Sequence, residues 1–394
     1  MYVTKRISDI RRQPELLDKS PQDGPFSGVL VIMDEEAEAE ATCCFGLCRD
    51  TSIDELPIPQ NKTITTRYSS GSNSKGAENV SYDYLMLIPV VDQPLSSNIY
   101  YAIHARGRHQ GEAHTSSTEE DKKTCLCFKF IHDVKSKPLE PSNPLQQFQL
   151  FRHPNGCSTY YGFESKSVSP DAFPPEFLRK KGWTVYAEKP KDFTLGEAHG
   201  VDPSLRRRLP VFEFSKGEKT SARVTVGKWV VPFMFVREGG MGLKAQMKKS
   251  MYYEMSLEQR WERVFESENV GGSEMLGADV AVKPEVVLLG GREAGSGVAA
   301  EGVVWYRSGE GGEVGLSSGI AERMRWEQRR AGWDAGVGKD AVNCPEELDG
   351  GQGGGWRRFA LYMLVESFHL KRMDGSVVIS FEFYHIHQRR SKWE

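Results

Sequence analysis

The sequence predicts an α+β protein with two domains, at residues 1–215 and 216–394. Three observations support this. Short apolar strands recur through the first half with turns between them and little helical periodicity. The second half contains a nearly unbroken apolar run, Val230–Val236. It also contains two charged amphipathic segments, which are typical of helices packed on a sheet. A chain of 394 residues suffices for two domains or for one large composite domain.

The N-terminal domain is predicted to be rich in antiparallel strands, because the strand-like runs are short and closely spaced. An acidic run, Asp34–Glu40, follows the first of them and is interpreted as the solvated tip of a hairpin. A Ca²⁺ loop is the alternative, but no glycine interrupts the run to make the sharp turn. The main predicted strands are Gly28–Met33, Thr63–Tyr68, Tyr84–Val91, Ile99–His104 and Cys125–Ile131.

The C-terminal domain is predicted to contain mixed strands and two long amphipathic helices packed on a sheet. Val230–Val236 suits a strand covered on both faces, with Pro232 at an edge or a bulge. Leu243–Phe265 has apolar residues at steps of about four, which indicates a long helix. Ser256 within it has the capping-box form, so a second helix could begin there. Ser317–Arg330 is predicted to form the other helix.

The end of the chain is predicted to be a hairpin that follows a loop. A Gly-rich disordered loop is expected near residues 335–355, because glycines are concentrated there. Phe359–Leu370 and Ser376–His387 then flank an Asp-Gly turn, which is a strong hairpin signal.

Composition and charge exclude several classes of function. The net charge is −3, so no overall electrostatic attraction favours nucleic acid or an anionic membrane. No apolar run approaches the ~20 residues that span a bilayer, so no transmembrane segment is expected. The N-terminal residues do not form a secretory signal. With seven cysteines and no signal, reduced thiols in the cytoplasm, or in the nucleus, are expected.

Few motifs carry chemistry. Gly295–Ala300 follows a strand and resembles a degenerate dinucleotide fingerprint, but another strand comes where a helix would have to hold pyrophosphate. No cofactor is therefore expected. Structural zinc is not expected either, since the cysteines and the nearby histidines lack paired zinc spacing. The residues concerned are Cys43, Cys44, Cys48, Cys125, Cys127, His104, His109, His114 and His132.

The last strand offers the first residues to inspect for a site. His385 and His387 alternate, so both imidazoles are expected on one face, with Glu382 on the other. Two imidazoles could begin a metal site, but a third ligand is missing, and an exposed cationic end is the favoured interpretation. The arginines Arg206–Arg208 and Arg389–Arg390 could hold single-stranded nucleic acid, although a solvated rim is favoured.

Ten strings distributed along the chain are long enough to be specific. They are MYVT, LVIMDEEAEAE, CFGLC, LPIPQNK, QPLSSN, RKKGWTVY, GKWVVPFMFVREG, MKKSMYYEMSLEQRWERVF, LKRMDGS and RRSKWE. Together they resemble one plant family, catalogued as domain of unknown function 1262. The resemblance extends over essentially the whole chain and implies a plant, intracellular protein that is a single full-length family unit. It implies no activity and no catalytic residues.

Two functional hypotheses remain open at this stage. The first is an uncharacterised non-enzymatic binding or regulatory protein, with a protein partner possible and nucleic acid unlikely to bind, because no assembled catalytic signature is present. The alternative is an enzyme whose site is assembled from distant Cys, His and acidic residues. That alternative requires a concave pocket holding at least two mutually hydrogen-bonded titratable groups. Catalytic residues stay unknown from sequence.

Overall fold

The chain folds mainly into β-strands, as a computed structural model shows. Strands make up 46% of it and helical segments 17%. The predicted α+β class is therefore wrong. The structure describes residues 1–21, 24–43, 48–72, 78–125, 128–154, 161–215, 217–270, 275–278, 280–297, 299–309, 312–335, 342–343, 346–349 and 356–393.

Helices are few and short in the described residues. The α-helices are α1 (Ile7–Arg12), α2 (Glu35–Glu40), α3 (Glu176–Arg179), α4 (Pro203–Arg208), α5 (Leu243–Lys249) and α6 (Ser318–Arg330). Single 3₁₀ turns occur at Pro14–Leu16, Leu95–Ser97, Glu119–Asp121, Pro144–Gln146 and Phe233–Phe235. Of the two long helices expected from the sequence, only the one at α6 is present.

The strands of the first 198 residues are β1 (Tyr2–Arg6), β2 (Gly28–Ile32), β3 (Thr42–Cys43), β4 (Cys48–Arg49), β5 (Ser52–Ile53), β6 (Thr63–Ser72), β7 (Glu78–Pro89), β8 (Ile99–His104), β9 (Lys122–Cys125), β10 (Phe128–Ile131), β11 (Gln147–Pro154), β12 (Tyr161–Ser167) and β13 (Thr184–Glu188). The later strands are β14 (Gly200–Val201), β15 (Val224–Pro232), β16 (Val236–Glu238), β17 (Tyr252–Glu268), β18 (Met275–Ala278), β19 (Ala281–Val282), β20 (Glu285–Leu289), β21 (Arg292–Glu293), β22 (Gly295–Ser296), β23 (Val303–Arg307), β24 (Glu313–Ser317), β25 (Val342–Asn343), β26 (Glu346–Asp349), β27 (Arg358–Arg372) and β28 (Val377–Trp393).

The segment predicted as one long helix, Leu243–Phe265, is a short helix followed by a long strand. β17 has 17 residues, and its Met255, Leu257 and Trp261 are almost fully buried. An apolar spacing of four residues fits one helical turn, but it equally fits two steps of a strand. An apolar spacing of four residues therefore does not distinguish an α-helix from a β-strand in this segment.

Pairing in the sheet decides the conformation of this segment. β17 pairs antiparallel with β27 along its length, from Tyr253 opposite Arg372 to Glu268 opposite Arg358. Backbone hydrogen bonds and burial from such a partner outweigh the helix propensity of Glu, Gln, Met and Leu. Ser256 lies inside the strand and is 2% exposed, so it caps no helix.

The apolar run Val230–Val236 is also interrupted. β15 ends at Pro232, a 3₁₀ turn covers Phe233–Phe235, and β16 begins at Val236. Proline has no N–H to donate to a ladder, so the strand stops where the sequence placed a bulge or an edge.

The chain forms two compact units. Unit 1 comprises Met1–Ala198 and Val230–Tyr252, and unit 2 comprises His199–Trp229 and Tyr253–Glu394. In unit 1, seven antiparallel strands run in the order β12-β11-β8-β7-β6-β13-β5. Their apolar faces, with Trp183 and Phe163 among them, form one buried cluster. A parallel pair, β1 with β2, completes the regular structure near the N-terminus.

Unit 2 is built on long antiparallel strands in the order β17-β27-β28-β20-β21. β27 and β28 form the hairpin that the Asp-Gly turn predicted, and Gly375 has the positive φ of 83° that this turn requires. The register of the hairpin shifts between Met363 and Leu364, so that Leu364 faces His385 while Met363 faces Arg389. A bulge of this kind redirects side chains and often lies beside a site.

Candidate functional site

The site in unit 2 begins with a charged residue inside an apolar strand. Glu366 lies in β27 and is 1% exposed. Alternation along the strand places it on the same face as Leu364. Gln259 of β17 lies directly opposite Glu366 and is also 1% exposed. A buried carboxylate is unfavourable unless charged or hydrogen-bonding groups surround it, so this position requires partners.

The main partner is Arg206 of α4. Asp202 starts this helix by accepting hydrogen bonds from the backbone N–H groups of Ser204 and Leu205, each at 2.9 Å. The Arg206 side chain then binds both carboxylate oxygens of Glu366. Its Nε donates to Oε1 at 2.9 Å, and its Nη2 donates to Oε2. This two-point geometry is the strongest form of an arginine–carboxylate pair.

Helix α6 supplies the second carboxylate and an amide. Arg206 Nη1 lies 3.2 Å from Oε1 of Glu327, which is 1% exposed. Gln328 Nε2 donates to Glu366 Oε2 at 2.8 Å. One arginine is thus held between two buried glutamates, and the network is charge-assisted throughout.

His385 of β28 closes the network. Its Nε2 lies 2.9 Å from Oε1 of Gln328 and 3.7 Å from Oε2 of Glu366. Because Gln328 Nε2 already donates to Glu366, its Oε1 is the acceptor, and the proton is assigned to Nε2 of His385. The histidine therefore donates, and it is 3% exposed.

These contacts set the ionisation of Glu366. Burial raises the pKa of the Glu366 carboxyl group, but the neighbouring His385 and Arg206 lower it by more. The pKa of Glu366 is held well below its usual range. The carboxylate is charged at neutral pH and serves as the anchor of the network.

A pocket of about 450 Å³ opens over this network. Its buried polar lining residues, which we call the floor, are Gln259, Glu327, Glu366 and His385, and five other lining residues are apolar. The lining residues are Val201, Pro203, Arg206, Arg207, Leu209, Gln259, Glu327, Arg330, Ala331, Leu364, Glu366, His385 and Gln388.

One lining group on the floor has an unused hydrogen-bonding atom. Gln259 Nε2 donates to Glu366 Oε1 at 2.8 Å and to the carbonyl of Arg206 at 3.1 Å. Two acceptors on the same nitrogen fix the orientation of the amide. Gln259 Oε1 is then buried, with no hydrogen-bond partner among the described residues. An unsatisfied buried acceptor costs about 1–3 kcal/mol, so a donor from a bound molecule would recover stability here.

The three residues singled out from the sequence are separated. His385 lies in the pocket, whereas His387 is exposed. Glu382 accepts a hydrogen bond from Nη2 of Arg260 at 2.8 Å, in a separate polar cluster with Glu262. Of these three residues, His385 lines the pocket, and Glu382 takes part in a different ion pair.

The two basic clusters also separate. Arg206 is almost fully covered by Glu327 and Glu366, while Arg207 and Arg208 are exposed. In the second cluster, Arg390 stacks on the Trp261 ring, 4.7 Å from its centroid. Both interactions are internal to unit 2, so these two arginines are engaged in packing.

Unit 1 brings together three of the histidines considered for zinc. The rings of His104 and His114 are 3.6 Å apart, and those of His104 and His109 are 5.9 Å apart. His104 Nε2 lies 2.6 Å from Oγ of Ser136. Among the described residues, no group of three or more His, Cys, Asp or Glu side chains could hold a metal ion. All seven cysteine side chains lie outside the described residues.

The histidine stack predicts a loss of stability in mild acid. Burial, and then the neighbouring His104, hold the pKa of His114 well below its ordinary value of 6.5. The unfolded chain therefore binds a proton that the folded chain resists, and stability falls as pH drops below about 6.5. We expect His114→Phe to reduce the loss seen between pH 7.5 and pH 5.5 in urea titrations. An unchanged pH dependence in the variant would contradict this account.

The acidic run also differs from expectation. Instead of a hairpin tip it forms α2, whose Glu38 pairs with Lys62 and whose Glu40 pairs with Arg11. These residues line a second pocket of about 360 Å³ within unit 1. Besides these two ion pairs, the charged residues Asp50, Asp54, Glu55 and Lys189 line it.

The expected Gly-rich loop near residues 335–355 falls mostly outside the described residues, which in that range are Ala335, β25 and β26. Gly295 and Ser296, from the degenerate fingerprint, form β22, and the next regular element is β23.

Comparison with known proteins gives a match to a family model over part of unit 1. Residues 23–128 match the model of DUF1262, a family described as a protein of unknown function. This match confirms the resemblance seen in the sequence over those residues. The DUF1262 segment does not include the pocket of unit 2, and extension of the resemblance over the rest of the chain stays a prediction.

Other comparisons add little. No curated protein matches the chain. Among solved structures, a crystal structure of Cry35Ab1 is similar over 85% of this chain and 90% of that chain, with 13% identity and a TM-score of 0.45. A likeness at this level supports no inference about fold or activity. In the described part of the chain, no helix has both the length and the apolar character to cross a membrane.

Proposed function

We propose that this protein is a binding protein that holds a small organic molecule in the pocket of unit 2. The observation that carries the proposal is Gln259 Oε1, a buried acceptor without a partner among the described residues, in a residue that lines a pocket of about 450 Å³. Its amide is held in place by Glu366 and the Arg206 backbone, so the acceptor is oriented before a ligand arrives. Preorganisation of this kind favours affinity.

The same geometry favours binding over catalysis. Both oxygens of Glu366 accept hydrogen bonds, from Arg206 and Gln259 on one and from Arg206 and Gln328 on the other. A carboxylate so occupied is a weak base and a poor nucleophile. His385 Nε2 donates to Gln328, which removes it from direct contact with a substrate proton.

An enzyme is the second candidate, because one specific requirement is met. The pocket contains titratable groups in direct contact, namely Arg206 with Glu366 and His385 near Glu366 at 3.7 Å. If they act on a bound molecule, NMR spectra of a binding fragment incubated with the protein would show its conversion. A spectrum that stays constant over hours favours the binding protein.

A screen with a blocked variant tests the proposal. Ala331 lines the pocket and is exposed at the end of α6, so Ala331→Trp should fill the mouth without disturbing the core. We expect a fragment library, followed by saturation-transfer NMR, to give ligands for the wild type that Ala331→Trp loses. Glu322→Trp, at an exposed position of α6 outside the pocket lining, is the matched control and should retain them. A library with no ligand, or ligands equally retained by Ala331→Trp, would sink the proposal.

A further inference from the structure

The mouth of the unit 2 pocket carries more positive than negative charge. Among the lining residues, the two glutamates are both paired with Arg206. Arg207 and Arg330 remain at the rim, where the Arg330 side chain is 51% exposed. Arg330 lies 3.9 Å from Glu327 and stacks on Trp326, 4.6 Å from the ring centroid. Three arginines against two glutamates among the lining residues leave an excess of one positive charge for an incoming anion.

Between the rim and the floor the walls are apolar. Leu364 is 2% exposed, and four further apolar residues line the pocket. Such walls favour the body of a ligand that carries few polar groups, because each buried polar group would need a partner. The four residues are Val201, Pro203, Leu209 and Ala331.

The floor requires the opposite chemistry from the rim. Gln259 Oε1 can only accept, so it takes a hydroxyl or an N–H. Arg207 and Arg330 can only donate, so they take a carboxylate or another anionic group. The pocket therefore offers complementary groups at its two ends, joined by an apolar wall.

From this arrangement, we propose that the ligand is an amphiphilic organic acid with an anionic group at the Arg207 and Arg330 rim, an apolar body, and a hydroxyl or N–H donor at Gln259. The inference rests on the proposed function, since it names the class of molecule that the same pocket takes. It goes beyond the proposed function because it specifies the charge of the ligand, whereas the proposed function would also be fulfilled by a neutral or a cationic ligand.

A matched set of three probes tests the class. 3-(4-Hydroxyphenyl)propionate carries both end groups, 3-phenylpropionate lacks the donor, and 3-(4-hydroxyphenyl)propan-1-ol lacks the charge. By titration calorimetry on the full chain, we expect the first to bind most tightly. Loss of one hydrogen bond should weaken binding by about fivefold. Loss of the charge should weaken it by about two- to fivefold and should also abolish the salt dependence.

Arginine variants assign the anion to the rim. Arg207→Gln and Arg330→Gln should each weaken the two acids by about two- to fivefold and leave the alcohol unchanged. Arg208→Gln is the matched control, because Arg208 is an exposed neighbour on α4 that does not line the pocket. Arg208→Gln should leave the affinities of all three probes unchanged.

Two results would overturn the inference. In one, the alcohol binds as tightly as the hydroxy acid and the rim variants have no effect. In the other, the hydroxy acid fails to bind at millimolar concentration while neutral fragments still occupy the pocket. Either result leaves the proposed function standing, because ligands blocked by Ala331→Trp would still be found. Absence of every ligand would instead remove the proposed function.

Discussion

Replacing Glu366 with glutamine is expected to lower the free energy of unfolding by about 3–5 kcal/mol, the usual cost of removing one partner of a buried ion pair. The substitution leaves Arg206, with 11% of its side chain exposed, facing a neutral group. It also places an NH₂ among the donors of Gln259, Gln328 and Arg206, so at least one of their hydrogen bonds is lost. Urea titration followed by circular dichroism measures the change.

The pH dependence of the free energy of unfolding shows whether the charged Glu366 carboxylate is the cause of this loss of stability. The pKa of Glu366 is lowered from 4.5 in the folded state, so its contribution is present above the unfolded value and is lost as pH falls below it. The difference between wild type and Glu366→Gln should therefore be full at pH 7 and shrink below pH ~4.5. Glu322→Gln, on the exposed face of α6, is the control and should stay within about 0.5 kcal/mol. A cost under about 1 kcal/mol for Glu366→Gln would show that the network is not closed.

Replacing Trp261 with alanine is the second change for which we expect a large effect, a loss of about 3–5 kcal/mol. Trp261 is 1% exposed, its Nε1 donates to the carbonyl of Pro210 at 2.9 Å, and its ring meets Phe212 edge-on at 5.4 Å. The substitution leaves a cavity and an unpaired carbonyl. It also removes the ring on which Arg390 stacks.

Trp261→Phe separates packing from the hydrogen bond. It keeps a ring in the site and should cost clearly less than Trp261→Ala when both are measured by urea titration. Equal costs for the two variants would mean that the ring does not pack as described. If Trp261→Ala cost no more than an exposed substitution, the burial of β17 would be refuted.

The sequence predicted strands well where turn residues bounded them. The hairpin of β27 and β28 follows from the Asp-Gly turn at Gly375. β2 and β8 agree with the apolar runs from Gly28 and Ile99. Local rules suffice for such elements, because the turn and the alternation together specify the pairing.

The failure at β17 has a physical cause. Its residues favour helix, and a step of four is common to both structures, so only the partner strand β27 decides. The pairing of β17 with β27 places Gln259 opposite Glu366, and this pair forms part of the polar floor of the pocket. If the pairing of the two strands is not known, nothing distinguishes Gln259 from the other polar residues of the chain.

The site could be predicted only in part. His385 is predictable as a candidate, because it alternates with a second histidine, His387, on one strand. Glu366 also carries a signal, since it is a single charge inside the apolar run LYMLVES and a buried charge implies a partner. Arg206 could not be assigned to it from sequence, because 160 residues separate the two.

The proposed function requires that Gln259 Oε1 receives a hydrogen bond from a bound molecule. A crystal structure of the protein with a fragment that Ala331→Trp excludes would show whether it does. We expect a hydroxyl or N–H of the fragment about 2.7–3.2 Å from Gln259 Oε1, with Glu366 still bound by Arg206. A fragment bound elsewhere, or one that fills the pocket with no donor near this oxygen, would contradict it.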